Sequence, residues 1–409
     1  MPMATSLFSL AVICLVAFVG PFLADLVPGR WLQASAFILV LGALLGPHGA
    51  HLIDPTAPGL PLLRQLGLAF LFLIGGYGLA PEEVLGTTGR HAALSWLASL
   101  ALGLLVAWAL PFDFSWKALV AFAISLTSTA FSKVEGILKE RHALDTPMGR
   151  IVESYGATGE LLPVMAVALL LEERSPLVEL GIIGLFVLLA LGSAWLARHE
   201  EERRTRLDAF VRDGSGAGQM MLRLVICVLV GFVALGVILG ADMIVAGFAA
   251  GFILRQLVGE DDTTVMPMVQ AVANGFFIPM TFVMSGASVD IFEGGSEPLV
   301  ILGFICLLIL VRGVPCLVSL SVAPETRSMP LLRRVNVAIY ACTAMSTVVA
   351  MTSVAVEAGD MTPHIANVLV FAAALTTVAV PVVTRLIARV DGEAAVEGAS
   401  ADATDDVDA

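Results

Sequence analysis

Apolar segments long enough to cross a bilayer follow one another along almost the whole chain. A helix needs about 20 consecutive apolar residues to span the hydrocarbon core, and such runs recur here from residue 7 to residue 387. Hydrophobic residues make up 58% of the sequence and charged residues only 14%, and the mean hydropathy is +0.93. The sequence therefore predicts an all-α polytopic membrane protein.

Loop signals divide the chain into about thirteen transmembrane helices. Proline, glycine and clusters of charge mark the boundaries between the apolar runs. The first run is predicted to be a span and not a removable signal peptide, because no Lys or Arg precedes it. The predicted spans are residues 7–23, 32–46, 61–79, 92–110, 116–134, 148–171, 176–197, 220–239, 241–258, 265–289, 298–322, 332–356 and 363–387.

The distribution of Lys and Arg tests this count, because short cytoplasmic loops hold an excess of basic residues. With thirteen spans, one side receives only Arg64, Lys117 and Arg174, whereas the other receives eighteen. This asymmetry predicts an outside N terminus, a cytoplasmic C terminus and a place in the cell membrane. Residues 391–409 hold seven acidic side chains and are predicted to be a disordered acidic cytoplasmic tail, with no appended regulatory domain.

Two glutamates in the sixth predicted span, Glu153 and Glu160, lie seven residues apart and so nearly on one helix face. Glu160 falls near the bilayer midplane, and Glu153 about 10 Å nearer the cytoplasm. A carboxylate in low dielectric must be protonated or paired with a cation. Glu160 is therefore the predicted ion- and proton-binding residue, or else a permanently protonated or Arg-paired structural glutamate. Glu153 either lines an entry route or forms a structural pair, with Arg312 as one candidate partner.

Arg312 falls inside the eleventh predicted span, where a charge costs about 2.5 to 3.5 kcal/mol on insertion scales. We expect the side chain to face protein and to have a partner. A role in bracing helix ends through carbonyl contacts is favoured, and a direct role in substrate chemistry is the alternative.

Polar residues cluster inside two spans where uninterrupted membrane helices would be apolar. The fifth span contains SLTSTAFSK at 125–133 and the twelfth ACTAMSTVVAMTS at 341–353. Hydroxyl groups can satisfy backbone groups freed by local unwinding, and unwound carbonyls can coordinate a hard cation. The two spans run in opposite directions and lie seven spans apart. This pattern is typical of paired discontinuous helices in two inverted repeats.

Several motifs resemble those of one transporter family. They are LGALLGPHGAHLI (41–53), LGLAFLFLIGGYGL (66–79), ISLTSTAFSKVEGILKE (124–140), GRIVESYGATGE (149–160) and FFIPMTFVMSGASVDI (276–291). They are similar, in this order, to segments of the monovalent cation/proton antiporters of the sodium/proton exchanger superfamily. Arg312 matches an arginine common in the next span of that family. The resemblance covers roughly residues 7–390.

The resemblance implies thirteen helices in two inverted repeats with crossing discontinuous helices, and a homodimer. It implies that residues 1–390 form the membrane transporter domain. Within that domain, a core of about 92–171 and 298–390 would move against a dimerisation or scaffold part of about 7–79 and 176–289.

By register, Glu160 takes the place of the family's ion-binding aspartate and Gly159 that of its neighbour. Ser128 and Thr129 belong to the broken crossing helix and complete the implied ion site. Transported Na⁺ or K⁺ would bind at Glu160, and no cofactor is implied beyond that cation and H⁺.

The second crossing helix departs from the family pattern. Where many members have Arg-Gly and a glutamate, the matching positions in this chain are the uncharged Cys342, Thr343 and Ser346. Ser346 and Thr347 are the predicted crossing-helix residues. Their lack of charge leaves open a sodium-coupled organic anion symporter of related fold, or a non-transporting ion or pH sensor.

The leading hypothesis is secondary active exchange of Na⁺ or K⁺ for H⁺ by alternating access around Glu160. Because Gly159 carries no second carboxylate, one proton for one cation, and hence electroneutral exchange, is the simplest stoichiometry. An enzyme is not expected, because there is no His-Glu-x-x-His or Gly-x-Gly-Asp motif and the six histidines lie at span ends or in loops. A nucleic-acid partner is not expected either.

Overall fold

A computed structural model describes most of the apolar chain. The described residues are 2–26, 34–78, 86–110, 115–131, 134, 138, 146–170, 181, 184, 188, 217–239, 243–258, 265–288, 298–344, 348–349, 351–352, 355–356, 359 and 361–391. Every regular element in these ranges is helical. The predicted all-α class is therefore confirmed.

Twelve helices are named here in chain order. They are α1 (Pro2–Leu26), α2 (Ala34–Leu45), α3 (Leu60–Gly78), α4 (Thr87–Ala109), α5 (Trp116–Thr127), α6 (Pro147–Leu170), α7 (Ala217–Leu239), α8 (Met243–Val258), α9 (Val265–Ala287), α10 (Pro298–Val322), α11 (Leu331–Tyr340) and α12 (Pro363–Asp391).

Seven of these helices, α1, α3, α4, α7, α9, α10 and α12, are long and apolar enough to cross a membrane. The predicted count of thirteen spans remains a prediction, because the seventh, 176–197, lies almost entirely outside the described residues. Helix α4 begins five residues before the predicted span because its first turn is polar. Helix α12 ends at Asp391 and residues 392–409 lie outside the described part, so the acidic tail stays a prediction.

The chain divides into two compact units. The first comprises Met1–Leu23, Phe37–Ala80 and Val164–Val289, and the second comprises Ala24–Ala36, Pro81–Pro163 and Asp290–Ala409. The assignment of a moving core and a dimerisation part within the chain stays a prediction.

Glycines let helices of the first unit approach backbone to backbone. In α8 the sequence GFAAG places Gly247 and Gly251 one turn apart, and a Cβ at Gly251 would collide with the Leu73 carbonyl of α3. At the end of α2 the sequence GALLG likewise places Gly42 and Gly46 four residues apart. A Cβ at Gly42 would collide with the Val283 carbonyl of α9. Small residues spaced by four are the usual means of close helix packing in lipid.

Two helices of the second unit are interrupted within their spans. Helix α5 begins at an N-cap, where the Ala118 amide donates to Ser115 Oγ at 3.1 Å. It ends at Thr127 and is followed by three non-helical residues before helix resumes at Phe131. Helix α11 ends at Tyr340, and residues 341–344 are likewise non-helical. The predicted crossing discontinuous helices are thus confirmed in spans five and twelve.

Helix α10 contains a widened, π-helical turn over Ile309–Gly313, which holds Arg312. Pro315 follows two residues later. A proline has no N–H and its ring clashes with the carbonyl four residues earlier, here that of Val311, so the regular α-helical ladder cannot continue through this turn. Helix α9 repeats the arrangement, with a π-helical turn at Ala273–Phe277 followed by Pro279.

Small residues on α4 allow the other helices of the second unit to converge. Ser95, Ser99 and Gly103 are buried and spaced by four residues. A Cβ at Gly103 would lie 3.3 Å from the Ala123 carbonyl of α5 and 3.3 Å from a Val311 methyl of α10. This close approach places the π-helical turn of α10 beside the end of α5.

Substituting Gly251 tests the close packing of the first unit. We expect Gly251→Ala to lower stability by about 1–3 kcal/mol, because the added methyl group must displace backbone and not a movable side chain. Gly231→Ala is the matched control, since a Cβ there meets nothing within 4 Å and gains up to about 1 kcal/mol of helix propensity. Thermal unfolding of both variants in one detergent measures the difference, and equal melting temperatures would contradict the packing argument.

Candidate functional site

The interrupted chain after α5 is tied to two neighbouring segments of the second unit. The Thr129 amide donates to the Gly159 carbonyl of α6 at 2.9 Å, and the Ala130 amide donates to the Thr343 carbonyl at 2.5 Å. The Thr129 hydroxyl donates to the Ala341 carbonyl at 2.6 Å. Backbone groups freed by unwinding must find partners inside a membrane protein, and the two non-helical stretches find them in each other and in α6.

The Gly159 carbonyl is available because of a proline one turn later. In an α-helix this carbonyl would accept from the amide of residue 163, but residue 163 is Pro163, which has no amide hydrogen. The freed carbonyl accepts from Thr129 instead. We call the place where the non-helical residues 128–130 and 341–344 meet the crossing. The sequence GELLP, residues 159–163, therefore encodes the attachment of α6 to the crossing.

Glu160 immediately follows this attachment point and is buried, with 4% of its surface exposed. Thr158 and Gly159 beside it are also buried. Glu153, seven residues earlier on the same helix, is half-buried. The two glutamates thus occupy different environments, and the more buried one lies next to the crossing.

Arg312 is fully buried and reaches the same point from α10. Its Nε donates to Thr129 Oγ1 at 3.2 Å and its Nη2 donates to the Tyr155 carbonyl at 3.1 Å. A Cβ at Gly159 would collide with that Nη2. The hydrogen bonds of Arg312 therefore go to a hydroxyl and a helix carbonyl, and neither goes to Glu153.

Tyr155 is held at both ends by α10. Its carbonyl accepts from Arg312, and its hydroxyl lies 2.8 Å from Ser319 Oγ. Ser319 in turn donates to the His91 carbonyl of α4 at 3.1 Å, so the tyrosine hydroxyl is the donor to Ser319. This chain of bonds fixes α6 against α10 and α4.

The structure brings together three of the predicted site residues, namely Thr129, Gly159 and Arg312. Ser128 adjoins Thr129 in sequence, and Glu160 adjoins Gly159. Ser128 is buried and its hydroxyl donates to the Ser125 carbonyl at 3.1 Å, which leaves its oxygen lone pairs available. The remaining predicted residues, 346 and 347, lie outside the described part of the chain.

Three residues of this arrangement were not identified from the sequence. Pro163 had a readable signal, since a proline four residues after a glycine frees that glycine's carbonyl. Tyr155 and Ser319 had none, because they are 164 residues apart and neither stands out by type.

The described residues contain no group of three or more His, Cys, Asp or Glu side chains that could hold a metal ion. Near the crossing, the charged side chains among the predicted residues are the carboxyl group of Glu160 and the guanidinium of Arg312. Such a site can bind one small cation or one proton at the carboxylate, with neutral oxygens completing the coordination.

Comparison with known proteins identifies a family and a fold. The profile of the family described as "Sodium/hydrogen exchanger, transmembrane" matches residues 13–390. The chain resembles the sodium proton antiporter MjNhaP1 from Methanocaldococcus jannaschii, with a TM-score of 0.62 and 13% identity, covering 92% of this chain and 96% of that one. At this identity the likeness concerns the fold alone, and it confirms the predicted antiporter-like architecture.

Two curated relatives are similar in sequence. YjbQ, a candidate Na⁺/H⁺ antiporter of Bacillus subtilis (strain 168), is 25% identical over 305 residues, or 70% of this chain and 48% of that protein. Cation/H⁺ antiporter 17 of Arabidopsis thaliana is 28% identical over 306 residues, or 68% of this chain and 36% of that protein. The chain thus spans about half of the first relative and about a third of the second.

Replacing Pro163 tests the attachment of α6 to the crossing. We expect Pro163→Ala to restore an amide that competes with Thr129 for the Gly159 carbonyl. Losing a bond worth about 1 kcal/mol would speed amide exchange at Thr129 about fivefold. Hydrogen exchange by mass spectrometry on peptides covering 125–131 measures this. Pro147→Ala is the control, because the first turn of α6 leaves that amide unpaired in any case. Unchanged protection in Pro163→Ala would refute the competition.

Proposed function

The chain belongs to the sodium/hydrogen exchanger family, as its motifs predicted, and from this premise we propose that it exchanges a monovalent cation for H⁺ through Glu160. The names of the similar antiporters support exchange of a cation for protons. The observation that carries the assignment to Glu160 is its burial directly beside Gly159, where α6 is tied to the break after α5. That break is in turn tied to the break after α11.

The proposed exchange uses one binding group for two competing ligands. A buried carboxylate is stable when protonated or when it holds a cation, and costly when it is empty and ionised. Arrival of Na⁺ or K⁺ at Glu160 therefore releases the proton to one side of the membrane, and a proton arriving from the other side releases the cation. The proposal requires that Glu160 meets the two sides in turn.

The neutral ligands proposed for the cation are oxygens near the end of α5. The Ser128 hydroxyl is buried and donates to Ser125, and among the described residues no donor to its oxygen is seen. Carbonyl groups of non-helical backbone coordinate cations in transporters with discontinuous helices. Hard monovalent cations favour such oxygen ligands over nitrogen or sulfur. The proposal does not depend on whether Na⁺ or K⁺ is preferred.

We further propose that the exchange is electroneutral and that the protein works as a homodimer in the cell membrane with its C terminus in the cytoplasm. Electroneutrality is supported by the single carboxylate at the site, because Gly159 supplies no second one. One proton and one monovalent cation carry equal charge. Their exchange at a single group moves no net charge.

A sodium-coupled organic anion symporter is the second candidate. Two buried polar atoms close to the crossing favour it: Arg312 Nη1 and Thr343 Oγ1 have no hydrogen-bond partner within the described ranges. Both can donate to an anion. Sodium uptake that requires an organic anion would favour this candidate, whereas cation binding without any flux would favour a sensor.

Replacing Glu160 tests the exchange directly. In proteoliposomes with a pH-sensitive dye, we expect wild-type protein to move protons when a Na⁺ or K⁺ gradient is imposed. Glu160→Gln should reduce this flux to that of protein-free liposomes, because the amide cannot alternate between a proton and a cation. Glu153→Gln, on the same face of α6 but half-buried, is the matched control and should retain exchange. Full activity in Glu160→Gln would overturn the assignment.

Membrane voltage tests the stoichiometry. Moving one net charge per cycle would couple about 2.3 kcal/mol to exchange for every 100 mV of potential. We expect instead that cation-driven proton flux is the same with the potential clamped at zero and at either sign. A strong response to voltage would rule out one-for-one exchange and leave exchange itself intact.

A further inference from the structure

Position 159 is occupied by a side chain from another helix. Gly159 has no side chain of its own, and a Cβ built there would collide with Arg312 Nη2 and lie 2.6 Å from Thr129 Oγ1. Gly156, one turn earlier, is also tightly packed, but a Cβ there meets the Phe131 ring and no charged group. The space beside Gly159 is therefore filled by the guanidinium of Arg312 and, next to it, the side chain of Thr129.

The guanidinium is fixed in this space by two hydrogen bonds of different direction. Nε donates to Thr129 Oγ1 and Nη2 donates to the Tyr155 carbonyl, and the side chain is completely buried. The rigid fork of an arginine can serve both acceptors at once, whereas the ammonium of a lysine is a single point of charge. Arg312 thus joins the end of the interrupted helix α5 to α6 through the Tyr155 carbonyl. Its Nη2 lies against Gly159, the residue before Glu160.

The same contacts make the Thr129 hydroxyl a poor ligand for a transported cation. Its hydroxyl proton is donated to the Ala341 carbonyl, and its oxygen accepts from Arg312 Nε at 3.2 Å. A transported cation bound to this oxygen would lie close to the positive guanidinium and be repelled by it. Thr129 is therefore suited to hold the crossing together, while ligation falls to Glu160 and Ser128.

We propose, on the basis of the exchange function proposed above, that Arg312 is a positioning residue of the cation site and that Gly159 is the determinant that admits it. The absent side chain at 159 lets the guanidinium lock Thr129 and α6 in register. It also places a permanent positive charge where a side chain at 159 would otherwise contribute a second ligand. The cation site consequently has one acidic ligand and a fixed neighbouring charge, and substitutions at 159 and 312 act on cation binding through each other.

A double-mutant cycle tests this coupling. Gly159→Ala should displace the guanidinium and raise the apparent KM for the cation about 10- to 100-fold, with a smaller effect on Vmax. Arg312→Met removes the guanidinium and leaves Thr129 as the remaining contact of the added methyl group. Adding Gly159→Ala to Arg312→Met should therefore raise the KM several-fold less than it does in the wild-type background. Gly156→Ala, which crowds only Phe131, should leave the KM unchanged. The same KM ratio for Gly159→Ala in both backgrounds would overturn the proposal.

A binding measurement separates this proposal from the exchange function. The rise in melting temperature of the detergent-solubilised protein on adding Na⁺ or K⁺ reports cation binding without transport. If the wild-type protein binds a cation but moves no protons, antiport is refuted. The coupling of 159 to 312 is then measured from the melting shifts of the wild type, Gly159→Ala, Arg312→Met and the double variant. If Gly159→Ala gives the wild-type shift, the positioning role is refuted even though flux is observed.

Discussion

The arrangement of the second unit depends on one backbone hydrogen bond, from the Thr129 amide to the Gly159 carbonyl. An interrupted membrane helix exposes amides that lipid cannot satisfy, and each one left unpaired costs several kcal/mol. A partner helix accepts such an amide most readily at a carbonyl that has no helical donor, and Pro163 supplies one by lacking the amide hydrogen that would use it. The break in α5 and the proline in α6 are therefore two halves of one feature.

The second constraint is a charge that cannot reach water. Arg312 is fully buried, and removing a guanidinium from water is costly unless its donors are satisfied. The Thr129 hydroxyl and the Tyr155 carbonyl satisfy two of them. The same bonds connect α10 to both α5 and α6, so the cost of burying the charge is offset by contacts that define the crossing. Glu160 follows Gly159, against which the guanidinium packs, so a fixed positive charge lies close to this segment of α6.

Much of this arrangement was predictable from the sequence, because membrane spans and intramembrane polar residues are strong signals. The breaks at 128–130 and 341–344 fall inside the two polar clusters, and the predicted residues 129, 159 and 312 contact one another. What could not be predicted is which residues touch across the unit. Gly159 and Arg312 are 153 positions apart. Neither segment contains a sequence signal that the glycine of one makes room for the arginine of the other.

This dependence explains why position 159 cannot be considered alone. A larger side chain there needs the volume that Arg312 Nη2 now fills. Arg312 would have to withdraw, and the Tyr155 carbonyl and the Thr129 hydroxyl would lose their donor. Tyr155 would then be held only through its bond to Ser319. The glycine, the buried arginine and the proline at 163 therefore form one mutually dependent set that holds α5, α6 and α10 together.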